Sequence, residues 1–562
     1  MTTALRAEER AAPYLVAPLL TDQLDTFAGA PEGFRRLREL VLNLAVRGML
    51  VPQDAKDEPA EKLLDAVPIS VRQPHAIPST WAWAPLGQLA DIRIGKTPPT
   101  KETRYWATSG FPWVSISDMD DYGLVKATTR TVSQEAVEEI FRGRHSPAGT
   151  LLMSFKLTVG RTAILDIDAF HNEAIVSLFP APGIVAPYLF LLLPIFTREG
   201  ATKDAIKGAT LNSDSLKSLP IALPPTAEQS RIVAKVEELM ALIAALEAKV
   251  GAGETARGKL LDTLLAALAD SPNAAATADA WAQLAPHFDL LLQTPADVDR
   301  LQQTLLQLAV KGRLVPQDPK DEPAAELLKR IRAEKERLVT EGKFKRDKPL
   351  PAINEDTLPY ELPQCWHWSR LGSLGDSFDY GTSQKATETP RGTPVLRMGN
   401  VQTGTVTLTN LKYFEDGQCE LPYLYLQPGD LLFNRTNSYE LVGKTGIFKG
   451  EPQRYSFASY LIRIRANTHA IDPQYLNLYM NSLNCRLTQI EPQVVQQNGQ
   501  ANFNGTKLQA ICIPLPPLPE QSRIVAAIAS LTTLCDRLRE RLTARRALSA
   551  KLAAALTESA LQ

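Results

Sequence analysis

The chain has 562 residues, 44% hydrophobic and 22% charged, with 61 Lys and Arg against 62 Asp and Glu for a formal net charge of -1. At roughly 150 residues per domain this length suggests three to four units, and the composition excludes a disordered or collagen-like chain. No apolar run reaches the roughly 18 residues of a membrane-spanning helix, and near-neutrality neither announces nor excludes a polyanionic partner, because attraction to phosphate depends on charge within about 8 Å.

In chain order, Met1–Glu9 carries acidic residues and lacks an apolar core followed by a small-residue cleavage site, so no secretory signal is read there, and residues 1–30 are assigned no role. The first recognisable segment, Pro31–Leu64, contains AVRGMLVPQDAKDEPAEKLL (Ala45–Leu64). Trp81-Ala-Trp83-Ala-Pro-Leu86-Gly87 follows, and an insert then runs to LPPTAEQSRIVA (Leu223–Ala234). Behind that signal Ile232, Val236, Leu239, Ile243, Leu246 and Val250 recur in steps of four and three, the seam of a helix that packs on another helix. Pro224 and Pro225 precede its start, where a missing N–H costs little. Gly251–Gly253 predict a bend or break, with resumption through Leu260–Leu268.

The chain then repeats itself. AVKGRLVPQDPKDEPAAELL (Ala309–Leu328) restates Ala45–Leu64, Trp366-His-Trp368-Ser-Arg-Leu371-Gly372 restates the Trp-x-Trp signal, and LPPLPEQSRIVA (Leu515–Ala526) restates the Leu-Pro-Pro signal. Ile524, Ile528, Leu531, Cys535, Leu538 and Leu542 fall in the register of the first long helix, behind Pro516, Pro517 and Pro519, with no glycine before the end. Three matches in one order mean two copies of one unit. The middle of the chain holds a whole frame, a helix from about Ala227 and then Thr294–Leu328, whereas the ends hold the same frame split into Pro31–Leu64 and Pro519–Leu561. This circular layout predicts a pseudo-twofold molecule with two long antiparallel helices. Lys329–Lys348, with nine Lys and Arg against four Asp and Glu, has no counterpart in the first copy and reads as a solvated helix or linker.

The inserts between the frames share only fragments, such as Gly149–Ile164 and Gly429–Ile447. Short β-branched and aromatic runs alternate there with Gly, Asn and Thr, and Thr393–Leu411 reads as two or three strands. Each insert is expected to be an α+β domain of roughly 140–160 residues with its own core. Trp81, Trp83, Trp366 and Trp368 belong to the shared frame and read as structural.

Catalytic motifs fail on inspection. Gly-Lys-Thr occurs at Gly95–Thr97 and Gly443–Thr445, but the glycine a phosphate loop requires upstream is Ala90 or Ser438. The five cysteines form no Cys-x-x-Cys pair, which points to a reducing, cytoplasmic setting, and the six histidines are isolated. No methyltransferase or nuclease cluster is found. What remains is recognition chemistry. The first insert interleaves basic, aromatic and hydroxyl groups at Lys96, Thr97, Lys101, Tyr105, Trp106, Ser115, Ser117, Lys156 and Arg161. The second offers Tyr380, Thr382, Ser383, Gln384, Lys385, Arg397, Asn400, Arg435, Asn437, Lys444, Gln497 and Asn498. Lys and Arg neutralise phosphates, while Arg, Asn and Gln form paired hydrogen bonds with base edges in the major groove.

Two variable inserts, Leu-Pro-Pro-x-x-Glu-Gln-x-Arg-Ile-Val leading into a long helix, and circular repeat symmetry together resemble the specificity subunit of type I restriction–modification enzymes. The resemblance runs from about Pro31 to Leu561. Thr97–Met119, with Tyr105-Trp106 and Pro112-Trp113-Val114, is similar to the opening of a target-recognition domain, and Gly381-Thr382-Ser383-Gln384-Lys385 to another variety of it. It implies an α+β chain divided into 1–74 (N-terminal extension and frame helix), 75–222 (first target-recognition domain), 223–354 (central frame with the basic linker), 355–514 (second target-recognition domain) and 515–562 (C-terminal long helix). It also implies a subunit without catalytic residues or cofactors of its own that reads a bipartite site on double-stranded DNA. The paired helices would set the spacer. Two methyltransferase subunits using S-adenosylmethionine would dock on the frames, and restriction/translocase subunits using ATP and Mg would join them. The residues leave two other readings open: a DNA reader for a modification-only or phage-exclusion methyltransferase, and a protein-docking scaffold.

Overall fold

The computed structural model describes residues 23–64, 71–156, 158–200, 212–341, 349–354, 358–402, 404–414, 421–497 and 500–561. Four frame helices organise the chain: α1 (Gly33–Val46), α2 (Thr226–Ala269), α3 (Pro295–Val310) and α4 (Leu518–Ala560). Two compact units form around them. One comprises the chain up to Gly253 and from Arg545 onward; the other is Glu254–Ala544. Each long helix therefore begins in one unit and ends in the other.

In the first unit the apolar face of α1 (Leu37, Leu40, Val41, Leu44) lies in one cluster with Ile232, Val236, Leu239 and Ile243 of α2 and Ala553 and Ala560 of α4. In the second, Val298, Leu301, Leu305 and Leu308 of α3 share a cluster with Leu261, Leu265 and Leu268 of α2 and Ile524, Ile528, Cys535 and Leu542 of α4. Each cluster thus combines the seam of one long helix with the far end of the other, the antiparallel order expected from the circular repeat; the two seams themselves do not pack on each other, each lying against the short frame helix of its own unit. Polar ties follow the same faces. Arg257 of α2 reaches Asp297 of α3 at 2.7 Å, and Arg539 of α4 reaches Asp299 of α3 at 2.7 Å. α3 starts where it does because Thr294 and Asp297 form a capping box around Pro295.

The predicted break at Gly251–Gly253 does not occur, since α2 is continuous from Thr226 to Ala269. Three interior glycines, Gly251, Gly253 and Gly258, together cost about 3 kcal/mol in helix propensity. Burial of Leu261, Leu265 and Leu268 beyond them offsets that at about 1.5–3 kcal/mol each.

The repeated Ala-Val-x-Gly ends α1 and α3 in the same way. Gly48 (φ 68°) and Gly312 (φ 70°) take the left-handed conformation. Met49 N then donates to Leu44 O and Arg313 N to Leu308 O, both at 2.9 Å, closing the helix end. A Cβ on Gly312 would stand 2.6 Å from Pro363 Cγ and 2.9 Å from Trp366 Cζ2; on Gly48 it would meet Pro78 and Trp81. The frame tryptophan is therefore packed against the glycine turn in both copies, a structural place such as its reading as a frame residue expects.

The first insert builds a five-stranded sheet in the order Ala90–Ile94, Ile175–Pro180, Leu151–Ser154, Thr162–Leu165, Gly123–Val125. A four-stranded sheet adds Trp106–Ala107, Arg130–Val132, Phe111–Val114 and Phe170–His171. The second insert has a six-stranded sheet (Gly375–Tyr380, Leu461–Ala466, Leu431–Asn434, Thr445–Ile447, Gly404–Val406, Val401–Gln402) and two three-stranded ones. Thr393–Leu411 contains three of these strands. Each insert has apolar clusters of its own, but its largest core is not separate from the frame. Met153, Val176 and Leu178 of the first lie in the cluster of α1, and Leu431, Phe433 and Ile464 of the second in that of α3, so frame and insert share their largest core. The basic segment after Leu328 continues a helix, Ala324–Thr340, whose Arg330 and Arg337 pair with Glu322 and Glu334; residues 342–348 of that prediction lie outside the described residues. Among the described residues no helix is long and apolar enough to cross a membrane.

Gly312→Ala is expected to destabilise the protein by about 2 kcal/mol through its backbone conformation and the Trp366 contact. Gly253→Ala, in open space within α2, should instead stabilise by up to about 1 kcal/mol. Denaturant midpoints of the two variants check the opposite signs.

Candidate nucleic-acid interface

Each insert is fastened to its frame by the same set of side chains. Gln229, in the first turn of α2, is fully buried. Its Oε1 accepts from Val185 N at 2.7 Å, and its Nε2 donates to Pro224 O at 2.9 Å and Gly183 O at 3.3 Å. Gln521 of α4 repeats this with Asp472 N (2.7 Å), Pro516 O (3.0 Å) and Ala470 O (3.3 Å). Next to it, Tyr188 OH donates to Ala222 O and Tyr475 OH to Pro514 O, each at 2.6 Å. Arg231 pairs with Asp57 at 2.5 Å and Arg523 with Asp321 at 2.7 Å, so the Arg of Glu-Gln-x-Arg holds the second Asp of the Gln-Asp-x-Lys-Asp segment.

The neighbouring glutamate differs between the copies. Glu228 accepts from Trp81 Nε1 (3.0 Å) and Gln53 Nε2 (2.6 Å), whereas Glu520 faces the Cys365 thiol at 3.8 Å. Burial pushes both carboxyls above the ordinary glutamate range. Finally, the strand carrying the frame tryptophans pairs antiparallel with the strand leading into Leu-Pro-Pro, Trp83 opposite Ala222 and Trp368 opposite Pro514. Sequence reasoning found these residues as a repeat but not as a clasp. The signal was the joint recurrence of Asp57 with Arg231 and Asp321 with Arg523.

In the first insert the candidates fall into two groups. Lys96, Thr97 and Trp106 surround one aromatic subdomain. The Lys96 carbonyl accepts from Trp113 Nε1 at 3.0 Å, the Trp106 and Trp113 rings meet edge to face at 5.0 Å, and the Arg130 guanidinium lies 3.4 Å from the Trp106 ring centre. Thr97 donates to Glu173. Behind Lys96, whose N–H donates to His171 O at 2.8 Å, buried His171 contacts Ser177 Oγ at 2.6 Å, which contacts Ser146 Oγ at 2.6 Å. Burial pushes His171 down to about 4.

Ser115, Ser117 and Arg161 gather instead around one loop. Ser115 donates to Asp118, Ser117 Oγ lies 2.8 Å from Ser115 Oγ, and Arg161 reaches Asp121 (3.0 Å) and the carbonyl of Met119 (3.0 Å). Asp118 is desolvated, yet hydroxyl and amide donors from Thr129 and Ser115 hold its carboxyl below the usual range. Lys156 stands 5.3 Å from the Phe155 ring centre, and Lys101 is exposed. Tyr105 must be reassigned: it is buried in the aromatic core and its hydroxyl donates to Glu139 at 2.8 Å, so it acts inside the domain.

In the second insert Tyr380, Arg435, Asn437 and the Gln497 strand are brought together. Arg435 stacks 5.1 Å from the centre of the half-exposed Tyr380 ring, the Tyr380 hydroxyl accepts from Gly505 N at 2.6 Å, and Asn437 lies opposite Ala501 of Gln500–Asn502, which pairs with Val495–Gln497. The buried Arg435 Nε has no hydrogen-bond partner among the described residues. Ser383, Gln384 and Lys385 are exposed on the loop beyond Thr382, and Lys444 is half-buried. Two candidates are internal. Thr382 is buried with its hydroxyl accepting from Gln384 N, and Asn400 is buried with its amide donating to Thr407 O (3.1 Å) and Thr409 O (2.8 Å). Arg397 Nη2 donates to Asn410 O at 2.9 Å in the same turn. Asn498 lies outside the described residues.

Comparison with known proteins places this arrangement. A family profile described as the type I restriction modification DNA specificity domain matches residues 78–251 and 363–545. The chain is 30% identical to the type I restriction enzyme EcoEI specificity subunit of Escherichia coli, over 97% of this chain and 100% of that protein. It is also 30% identical to the EcoAI specificity subunit of Escherichia coli, over 94% of each. The crystal structure of an HsdS subunit from Thermoanaerobacter tengcongensis is similar at 18% identity, covering 87% of this chain and 98% of that one with a TM-score of 0.43.

The buried His171 predicts a pH dependence. The unfolded chain takes up a proton near the ordinary value of about 6.5, the folded first insert only near 4. The unfolded state therefore binds more protons between those values, and stability falls as pH drops through that window, by about 3 kcal/mol in all. Unfolding titrations from pH 7 to pH 4 should show this slope for the wild type and a flatter one for His171→Gln.

Proposed function

The chain belongs to the type I restriction–modification DNA specificity family, and from that premise we propose that it reads a split, asymmetric DNA site, one half with each insert, for a methyltransferase that docks on its two frames. The observation that carries this reading is the clasp. The same Gln, Tyr, Arg and Asp side chains hold two inserts whose sheets differ in strand number and order. A duplicated mount suits two copies of one partner; unlike inserts suit two unlike half-sites.

In this reading the exposed Lys96, Lys101 and Ser117 of the first insert, and Ser383, Gln384, Lys385 and the Tyr380–Arg435 stack of the second, face the duplex. Cations contact phosphate, and amides and Arg read base edges. Gln497 and Asn498 join them on sequence chemistry. Ser115 and Arg161 shape the loop that carries Ser117. This chain supplies address and register. The methyl donor, S-adenosylmethionine, and the ATP and Mg of translocation and cleavage belong to the partner subunits, which act in the cytoplasm.

Methylation mapping in cells with and without the gene tests the proposal. A split adenine motif should disappear when the gene is removed. Exchanging residues 355–514 for the second insert of a relative with a known site should change one half of the motif and leave the other intact. Loss of no motif, or a change in both halves, would contradict the reading. Binding to a partner protein that ignores salt, with no duplex affinity, would favour the docking scaffold.

A further inference from the structure

The first insert carries a basic edge that its sequence motifs did not single out. The helical stretch Gln134–Phe141 ends at Arg142, whose φ of 54° is left-handed, followed by Gly143 at φ 68°. A left-handed arginine costs on the order of 1 kcal/mol, and the surroundings hold it there. Gly143 N donates to Val137 O at 2.9 Å and Arg144 N to Phe141 O at 3.1 Å. Phe141 is buried with its ring 4.4 Å from that of Phe170, and Ser146 exchanges two 2.9 Å backbone bonds with Ala169. Both ends of the turn are thus fixed, while Arg142 and Arg144 are exposed. Lys96 Nζ donates to Ile140 O at 2.8 Å, which sets a third cation beside the turn.

Charge pairing separates this turn from three other arginines of the insert, and ring stacking from a fourth, Arg130 on Trp106. Arg93, Arg104 and Arg161 each bond an acidic side chain. The acids of the same helical stretch are engaged: Glu135 and Glu139 with Arg104 and Tyr105, Glu138 with Gln134. Asp168 accepts from Ala148 N and stands 3.6 Å from His145. The side chains of Arg142 and Arg144 have no hydrogen bond or ion pair among the described residues. We propose that the Arg142–Arg144 turn, with Lys96, is a phosphate-holding edge that fixes the first insert on the backbone of its half-site without reading bases. The inference rests on the DNA-reading function above and adds to it a positioning element distinct from the base-reading surface. Deformable surface lysines could supply attraction alone; a pinned turn that presents two guanidinium groups also supplies register.

The test uses the full chain assembled with its methyltransferase subunits and a duplex containing the mapped motif, with affinity measured over a range of salt. Arg142→Gln/Arg144→Gln should lower the slope of log K against log salt by about 2, at about 0.9 per phosphate contact. Affinity at low salt should fall about ten- to hundredfold, with unchanged discrimination between the motif and a scrambled duplex. Arg142→Lys/Arg144→Lys keeps the charge and should restore most of the slope. An unchanged slope in the Gln variant overturns the proposal, as does loss of subunit assembly, which would make the turn a protein contact. A Lys variant as impaired as the Gln variant overturns it too. If the wild-type complex methylates no split motif and binds no duplex, the DNA-reading function itself fails, a result distinct from an unaltered salt slope in a complex that binds.

Discussion

A buried glutamine at the start of a long helix is the constraint on which the rest depends. Gln229 and Gln521 each satisfy one backbone N–H of the insert, one carbonyl of the insert and one carbonyl of the Leu-Pro-Pro lead-in. Removed from water, those groups would each cost about 1–3 kcal/mol if left unpaired. A side chain that meets three of them at once makes any other seating of the insert expensive. The tyrosine beside it and the Arg–Asp pair behind it tie in the adjacent strand and repeat segment, so insert, lead-in and frame are joined within each unit.

This mount leaves the inserts free to differ. In each unit the largest apolar cluster runs from frame helix into insert sheet, whereas smaller clusters such as Tyr105, Trp113, Phe141 and Phe170 belong to the insert alone. The shared cluster is tied to the frame repeat, while the private clusters carry the exposed basic and amide groups. A chain of net charge -1 can then present local cationic edges, because Arg104, Arg161 and Arg463 are spent on acids inside the inserts while a few guanidinium groups are not.

Much of the frame was legible in sequence because its signals are local. The 3.5-residue seams placed α2 and α4, and the duplicated segments marked the frame that holds α1 and α3. Two things were not. The continuity of α2 through Gly251 and Gly253 is decided by packing of leucines a turn or more beyond them, which propensity alone does not weigh. The sorting of polar candidates depends on distant partners. Tyr105 is internal because Glu139 and Phe170 come to it, Thr382 because strand Ser456–Phe457 lies alongside, and Asn400 because its own turn folds back at Thr407 and Thr409. Composition shows that such residues can bind DNA; only the fold shows which remain free to do so.

Hydrogen exchange on the full chain tests the clasp most directly. Val185 and Asp472 amides should exchange in the wild type only when their whole unit opens. Gln229→Ala should speed exchange around 183–185, and Gln521→Ala around 470–472, by about a hundredfold, each leaving the other unit unchanged. Amides that exchange at wild-type rates in both variants would contradict the account, because the inserts would then be held by something other than these glutamines.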